Sequence, residues 1–296
     1  MADEMTLLVS YRLVCLTERI DMQDRLVSLL KWFELHARVF QAGPLCRSAT
    51  YDAGDGLGYI HVLRGGRLRV ETAGQTAIQL DEPSLLFYMS PTSHRLLPQG
   101  DGAELVCASF EFGAGLDNPL VLALPKTVTI ALTDLPNLAT TTGVLFKEAS
   151  EQHCGRQAIL DRLSEVLIIQ LLRELMDQGR IESGLLAGLS NPRLVKAINA
   201  IHADPRRAWT LEELASLANM SRARFAVHFR ETVGTTPMAY LGEWRLSVAR
   251  SLLRGGKSVQ IAANEVGYGS ASALSRAFAT QTGMSPSEWR QRQEQR

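Results

Sequence analysis

Arg222, Arg224 and His228 follow Ser221 at short spacings, and Phe225 and Phe229 interleave with them four residues apart. On a helix this spacing puts both phenylalanines on one face and leaves the cationic side chains outside it. A guanidinium exposed near the start of such a helix can hold a phosphate or pair bidentately with guanine in the major groove. The pattern then returns: Phe225, Phe229, Gly234, Pro237 and Tyr240 recur as Leu274, Phe278, Gly283, Pro286 and Trp289, each displaced by 49 residues. In the second copy, Ser272, Ser275 and Arg276 occupy the outer face. Five matches at one offset mark an internal repeat.

The elements that must position these residues are readable. Thr210 with Glu213 three residues on is a capping box that starts a helix. Ser221 caps the next, and small Ala215 lets the two cross closely. Leu214, Leu217, Phe225 and Phe229 are expected to share a core. A short helix, a tight turn and a second helix with exposed cations is a helix-turn-helix unit. A second unit begins near Val259-Gln260-Ile261-Ala262, turns at Val266-Gly267-Tyr268-Gly269, and continues from Ser270. Between the units, the spacing of Tyr240, Leu241, Trp244, Leu246, Ala249, Leu252 and Leu253 predicts one helix from Pro237 to Leu253, about 25 Å long. A spacer of that size suits two reading helices about one DNA turn, roughly 34 Å, apart.

Charge follows the same division. Residues 191–296 hold 15 Lys and Arg against 8 Asp and Glu, whereas residues 1–190 hold 16 against 23, so the net charge of zero hides a basic part fused to an acidic one. A basic part suits a polyanionic partner. With 46% hydrophobic and 21% charged residues the chain is globular in composition. No apolar run reaches the roughly 18 residues of a membrane span. Arg12, Glu18 and Arg19 interrupt the N-terminal apolar stretch and no cleavage site follows, so a cytoplasmic location is expected. Cys15, Cys46, Cys107 and Cys154 are too dispersed for a disulfide framework and are expected to be thiols.

Between Arg38 and Phe112 short apolar runs alternate with Gly and Pro. Strands are expected at Arg38–Phe40, Gly58–Leu63, Arg67–Glu71, Ala77–Leu80, Ser84–Tyr88 and Glu104–Phe112, with Thr127–Leu132 as one more. A helix begins after Met22-Gln23-Asp24, and residues 1–21 read as an extension ahead of it. From Leu135 the period is helical. Ile159, Leu163, Val166, Leu167, Gln170, Leu171 and Leu175 share a stripe that ends before Gly179. That stripe has two readings, a homodimer contact or a helix packed on its own domain. Residues 184–192 read as a linker.

The stretch Val266-Gly267-Tyr268-Gly269-Ser270 to Ser275-Arg276-Ala277-Phe278, with Thr282-Gly283-Met284-Ser285-Pro286 and Trp289-Arg290, resembles the signature of AraC/XylS-type transcription regulators over about the last hundred residues. The resemblance implies double-stranded DNA and RNA polymerase as partners, with each second helix in a major groove. On the matching positions the first helix presents Arg222, Ala223, Arg224, Ala226 and Val227, and the second Ser270, Ala271, Ser272, Ser275 and Arg276. The first face is poor in polar groups, since Ala and Val offer only apolar contacts such as with a thymine methyl.

The strand-rich region resembles the cupin-like sensory domains of that family. Gly58-Tyr59-Ile60-His61 falls where a first cupin motif places a histidine, with Leu63 where its second would stand; Pro91-Thr92-Ser93-His94 resembles the second motif. With Cys46 and Cys107 these histidines make a Cys2His2 set, the ligand types and number of a tetrahedral Zn²⁺ site. The alternative is two buried thiols and two histidines satisfied in the core. The rival class, a cupin oxygenase, would need a His-x-His with a following carboxylate, and none stands at His61; no catalytic arrangement stands out, and an enzyme is not expected. The expected fold is α+β: a cupin-like antiparallel β-barrel with helices, then an all-α domain of two helix-turn-helix units on a long helix. The divisions are 1–21 extension, 22–183 sensory domain, 184–192 linker and 193–296 DNA-binding domain. A small-molecule or metal effector is expected to act through the first on the last.

Overall fold

A computed structural model of the chain describes residues 24–113, 118–123, 126–178 and 183–294. The expected extension at 1–21 and the helix-ending Gly179 lie outside the described residues. Asp24 opens the first helix, its carboxylate accepting from the Leu26 and Val27 N–H groups at 3.0 and 3.1 Å. Helix α1 (Val27–Trp32) is short, and Leu26, Leu29 and Phe33 around it are buried.

Seven antiparallel strands follow: β1 (Leu35–Leu45), β2 (Ala49–Tyr51), β3 (Gly58–Thr72), β4 (Ile78–Leu80), β5 (Ser84–Tyr88), β6 (His94–Phe112) and β7 (Thr127–Ala131). The pairing order is β1-β6-β3-β5-β7, with β2 added on β6 and β4 on β3. Two expected strands, Gly58–Leu63 and Arg67–Glu71, are halves of the single β3. Gly65-Gly66, which lies between those two expected strands, is a bulge where the β3–β6 register shifts. Gly66 has φ +85°, and a Cβ there would lie 2.2 Å from the Gly102 carbonyl oxygen, so glycine serves close backbone approach rather than chain reversal. β2 was not anticipated; three residues carry too little periodicity to be read.

The expected barrel is instead a curled, open sheet. Among the described residues β1 and β7, the ends of the pairing order, are not partners. The outer edge of β1 is covered by side chains of the helix that follows the sheet. Val39 N–H donates to Asp161 Oδ1 at 2.7 Å and Ala37 N–H to Glu165 Oε1 at 3.3 Å, while Gln157 Nε2 donates to the Val39 carbonyl at 2.7 Å. A helix with polar groups at the right steps thus removes an exposed edge without closing the sheet.

Strand alternation makes two cores. Tyr59, Leu63, Leu86, Tyr88, Leu105 and Cys107 line the inside of the curl. Ile60, Val62, Leu85, Phe87, Val106 and Ala108 face the other way and join the core under the helices. Helix α2 (Pro119–Ala123) precedes β7; α3 (Ala139–Ser150) and α4 (Arg156–Asp177) follow it. The α4 stripe divides: Leu167, Leu171 and Leu175 are buried, whereas Ile159 and Val166 are 43% and 44% exposed.

The segment read as a linker contains a buried helix, α5 (Leu185–Ser190), because Leu185, Leu186 and Leu189 find a common core. A Cβ on Gly188 would stand 2.6 Å from Ile198 Cδ1, so the packing there is tight. Beyond it come α6 (Leu194–Ala203), α7 (Leu211–Leu217), α8 (Arg222–Val233), α9 (Pro237–Arg254), α10 (Val259–Glu265), α11 (Ala271–Thr282) and α12 (Pro286–Glu294). The capping box forms in both directions, Glu213 N–H to Thr210 Oγ1 at 3.2 Å and Thr210 N–H to Glu213 Oε2 at 2.8 Å. The Thr210 N–H, then the Arg207 guanidinium and the Thr210 hydroxyl, all donating to it, hold the Glu213 carboxyl down at about 2. Leu217 departs from expectation: it is 37% exposed, while Leu214, Phe225 and Phe229 are fully buried. Among the described residues no helix is long and apolar enough to cross a membrane.

Candidate DNA interface and sensory core

The two helix-turn-helix units, α7–α8 and α10–α11, are bound to one another by more than the spacer α9. Arg245, on α9, donates from Nε to the Pro205 carbonyl at 2.8 Å and from Nη2 to the Arg207 carbonyl at 2.9 Å. Gly267, in the turn of the second unit, has φ +80°, and a Cβ there would lie 2.4 Å from the Arg206 carbonyl oxygen. The same loop is therefore gripped from both sides. With 18 residues α9 extends about 27 Å, and the reading helices keep a fixed separation.

Each reading helix is capped by the serine expected there, Ser221 accepting from Arg224 N–H and Ser270 from Ala273 N–H. Phe225, Phe229, Leu274 and Phe278 point into the cores. On α8, Arg222, Ala223 and Arg224 are exposed, Val227 is 57% exposed and Ala226 is half-buried. On the second unit Ser270, Ser272 and Arg276 are exposed, with Ala271 and Ser275 half-buried. Both faces are accessible, and the apolar character of the first is real: a large exposed valine stands between the arginines. His228 accepts from Asn191 Nδ2 at 3.0 Å, and Pro192 and Arg193 complete a groove beside Arg224 and Val227. Sequence reading placed Asn191 and Pro192 in a linker. The signal missed was Asn191 itself, whose side-chain oxygen accepts from the Arg193 and Leu194 N–H groups, as residues opening a helix do.

Inside the sheet, His61 and His94 meet with Nε2 atoms 2.8 Å apart. His94 Nδ1 lies 2.7 Å from the Thr92 carbonyl, which can only accept, so Nδ1 carries the proton. One hydrogen bond joins the two Nε2 atoms. His61 Nδ1 is buried and without a hydrogen-bond partner. Burial, and then the neighbouring His94, hold His61 well below the ordinary histidine range. His94 is stacked between Tyr51 and Tyr88, at 4.9 and 4.1 Å.

Cys107 is the cross-strand partner of His61 and is buried, its thiol pushed up by that burial; the Tyr51 hydroxyl points to its sulfur at 3.9 Å. Cys46 follows β1 and is exposed. The expected four-residue set is not gathered. Among the described residues the one group of three His, Cys, Asp or Glu with ligand atoms within 4.8 Å of one another is Glu148, Glu151 and His153, on the surface. The histidines suit a metal in one respect, since a backbone carbonyl holds His94 at Nδ1 and so orients Nε2 toward His61, as the second nitrogen is held in metal-bound histidines. Cys46 does not.

The sensory part reaches the DNA-reading part directly. Trp32 Nε1 donates to the His202 carbonyl at 2.9 Å, and the Phe33 and Trp244 rings meet edge to face at 5.3 Å. Arg254, at the end of α9, pairs with Glu111 of β6 at 3.0 Å.

A curled antiparallel sheet with an interior histidine pair is thus docked on two rigidly joined helix-turn-helix units. A family model described as Cupin matches residues 24–177, and one described as Helix-turn-helix domain matches residues 214–292. A putative AraC-like transcription regulator of Streptomyces lividans is 35% identical over 65% of this chain and 64% of its own length. The HTH-type transcriptional regulator AlkR of Acinetobacter baylyi is 37% identical over 60% and 59%. The RCS-specific HTH-type transcriptional activator RclR of Escherichia coli K12 is 31% identical over 80% of this chain and 87% of its own. The first two matches take in less than two thirds of those relatives. The chain belongs to the AraC-type family of helix-turn-helix transcription regulators.

Proposed function

We propose that this chain regulates transcription by binding promoter DNA through α8 and α11, under control of a small molecule or metal sensed by the N-terminal domain. The observation that carries this reading is the rigid pair of exposed reading faces, locked by Arg245 and Gly267. Arg222, Arg224 and Arg276 supply phosphate or guanine contacts; Ala223, Ala226, Val227 and Ala271 read by shape and thymine methyls; Ser270, Ser272 and Ser275 hydrogen-bond to phosphates or base edges. It works by binding rather than catalysis, in the cytoplasm, with RNA polymerase as its further partner. The test is footprinting on the promoter of its own operon. Protection of two major-groove segments about one turn apart, lost in Arg222→Ala/Arg276→Ala, is the expected result. Protection that those substitutions leave unchanged overturns it.

Two finer elements belong to the same reading. A Zn²⁺ ion would be held by His61 and His94, with Cys107, the cross-strand partner of His61, as a third ligand, and would supply structural cross-linking of β3 and β6. Metal content of protein purified without chelator, beside His61→Ala and Cys107→Ala variants, decides this, and metal-free wild type ends it. Second, Ile159, Leu163, Val166, Gln170 and Arg173 recur at steps of four and three along the solvent side of α4, the seam of a two-helix contact with a second copy. Sedimentation of wild type and Ile159→Glu/Val166→Glu tests the homodimer; a monomeric wild type refutes it.

A further inference from the structure

Between the end of α3 and the start of α4 the chain makes a short corner on which three ligand-type side chains converge. Glu148 lies in the last turn of α3, Glu151 follows its end, and His153 precedes Gly155, whose φ of +82° turns the chain into α4. One ligand atom of each lies within 4.8 Å of those of the other two. The backbone holds this corner by itself. Glu151 N–H donates to the Glu148 carbonyl at 3.4 Å and Arg156 N–H to the His153 carbonyl at 3.3 Å. The Arg156 guanidinium is engaged on the Glu148 and Ala149 carbonyls, at 3.2 and 2.7 Å.

Two observations go beyond proximity. His153 Nδ1 stands 3.4 Å from Glu151 Oε2. Two ligands on one tetrahedral Zn²⁺ lie about 3.3–3.6 Å apart, for bonds of roughly 2.0–2.2 Å. Glu148 Oε1, independently, is closed off from water and has no hydrogen-bond partner. A carboxylate oxygen left that way is costly, and a bound cation supplies the missing partner.

We propose that Glu148, Glu151 and His153 form a site for a divalent transition-metal ion, Zn²⁺ by ligand type, separate from the His61–His94 pair. One imidazole and two carboxylates balance the charge of the ion and leave a coordination position for water. The imidazole selects against Mg²⁺ and Ca²⁺, which take oxygen ligands. Cys154, next in the chain, is exposed and stands outside the set. A bound ion ties the end of α3 to the start of α4, the helix whose Gln157, Asp161 and Glu165 cover the edge of β1. Occupancy therefore acts on the stability of the sheet domain, whatever the DNA-reading part does.

The experiment treats the full-length protein with chelator, removes the chelator, and titrates ZnCl2 and, separately, MgCl2 by calorimetry, with the thermal midpoint read on the same samples. Wild type is compared with His153→Ala, Glu151→Gln, Cys154→Ser and His61→Ala. Zinc is expected to bind and to raise the midpoint, and magnesium to do neither. In His153→Ala and Glu151→Gln one zinc equivalent is expected to vanish or to weaken by at least about 10- to 100-fold, the loss that even an outer-shell partner causes. Cys154→Ser and His61→Ala are expected to keep that equivalent. The side chains of His153 and Glu151 are 65% and 37% exposed, so their replacement leaves the core intact, and the result stands if His61→Ala does not fold. Zinc binding in His153→Ala equal to wild type overturns the proposal. So does a zinc response that magnesium reproduces, which would mark a plain acidic surface. Zinc lost in His61→Ala but kept in His153→Ala places the ion in the sheet interior alone and ends this site.

Discussion

Ser251 donates its hydroxyl hydrogen to the backbone carbonyl of Trp32 at 2.7 Å, joining the spacer between the reading units to the segment that leads into β1. Gly113, at the end of β6, packs at the same point: a Cβ there would meet Ser251 Oγ at 3.2 Å and Phe33 Cα at 3.3 Å. β6 carries Cys107 inside the sheet and Phe112 at this junction, where Phe112 pairs in register with Leu35. One strand therefore links the His61–His94 pair to the helix that spaces the DNA contacts. Ser251→Ala is expected to cost about 1 kcal/mol, the net value of one hydrogen bond. Phe33→Ala, which empties a fully buried site against Trp244, is expected to cost about 3–5 kcal/mol. Urea unfolding of both variants checks this. A Phe33→Ala cost no larger than that of Ser251→Ala would mean the junction is not packed as described.

Two buried histidines set a pH dependence. Burial lowers His202, stacked on Trp244 at 3.7 Å, to about 3, and holds His61 well below the ordinary histidine value. Both are depressed, so the unfolded chain binds protons that the native chain refuses as pH falls below about 6.5. Above that point neither group contributes a slope. Below it each removes about 1.4 kcal/mol per pH unit, about 2.7 together, down to the folded value, which for His202 is about 3. Denaturant unfolding between neutral and mildly acidic pH should show this fall, and His202→Gln should remove about half of it. A flat profile would show that both rings take up protons in the folded state, and a halved one that one of them does.

The helix-turn-helix half was legible because its signals are local. Thr210 and Glu213, Ser221, Ser270 and the repeated Phe-Phe-Gly-Pro-Tyr spacing each act within a turn or two of chain, and the structure places them as read. The sensory half was legible only in outline, since strand pairing is set by partners far away in sequence. Gly65-Gly66 looks like a hairpin turn until Gly102 is seen against it, and nothing local distinguishes a bulge from a reversal. Cys46 and Cys107 are alike as sequence. Only the register, which sets Cys107 opposite His61 and leaves Cys46 beyond the end of β1, separates them. Leu185–Ser190 failed for the opposite reason: Gly and Ser suggested a loop, whereas three leucines met a core formed by Ile198 and Val233.

Gly267 and Gly269 flank Tyr268 and should respond oppositely to alanine. Gly267 needs positive φ and touches the Arg206 backbone, so Gly267→Ala combines left-handed strain with a clash and is expected to cost about 2 kcal/mol or more. Gly269 has no positive φ, and its Cβ would meet nothing within 4 Å. Gly269→Ala should therefore stay within about 0.5 kcal/mol of wild type. Thermal unfolding separates the two, and promoter footprints should show weakened protection over the second half-site only for Gly267→Ala. Equal behaviour of the pair would remove the argument that this turn locks the two units together.

Arg276 and Arg193 should separate base reading from phosphate holding. Arg276 is exposed on the outer face of α11, where a bidentate pair with guanine is within its chemistry, while Arg193 stands beside the first reading helix at the start of α6. Arg276→Ala is expected to cost about 1–3 kcal/mol on the preferred promoter and to relax preference at one base pair. Arg193→Ala should weaken all sequences evenly and reduce the slope of log K against log salt by about one. Val227→Ala forms the third arm: with 57% of its surface exposed it has no core to lose, so a lowered affinity restricted to sites with a thymine at one position would identify a methyl contact. Binding isotherms on a panel of single-base operator variants at two salt concentrations resolve the three. Uniform loss for Arg276→Ala with a reduced salt slope would reassign it to the backbone and leave the second unit without a base-reading arginine.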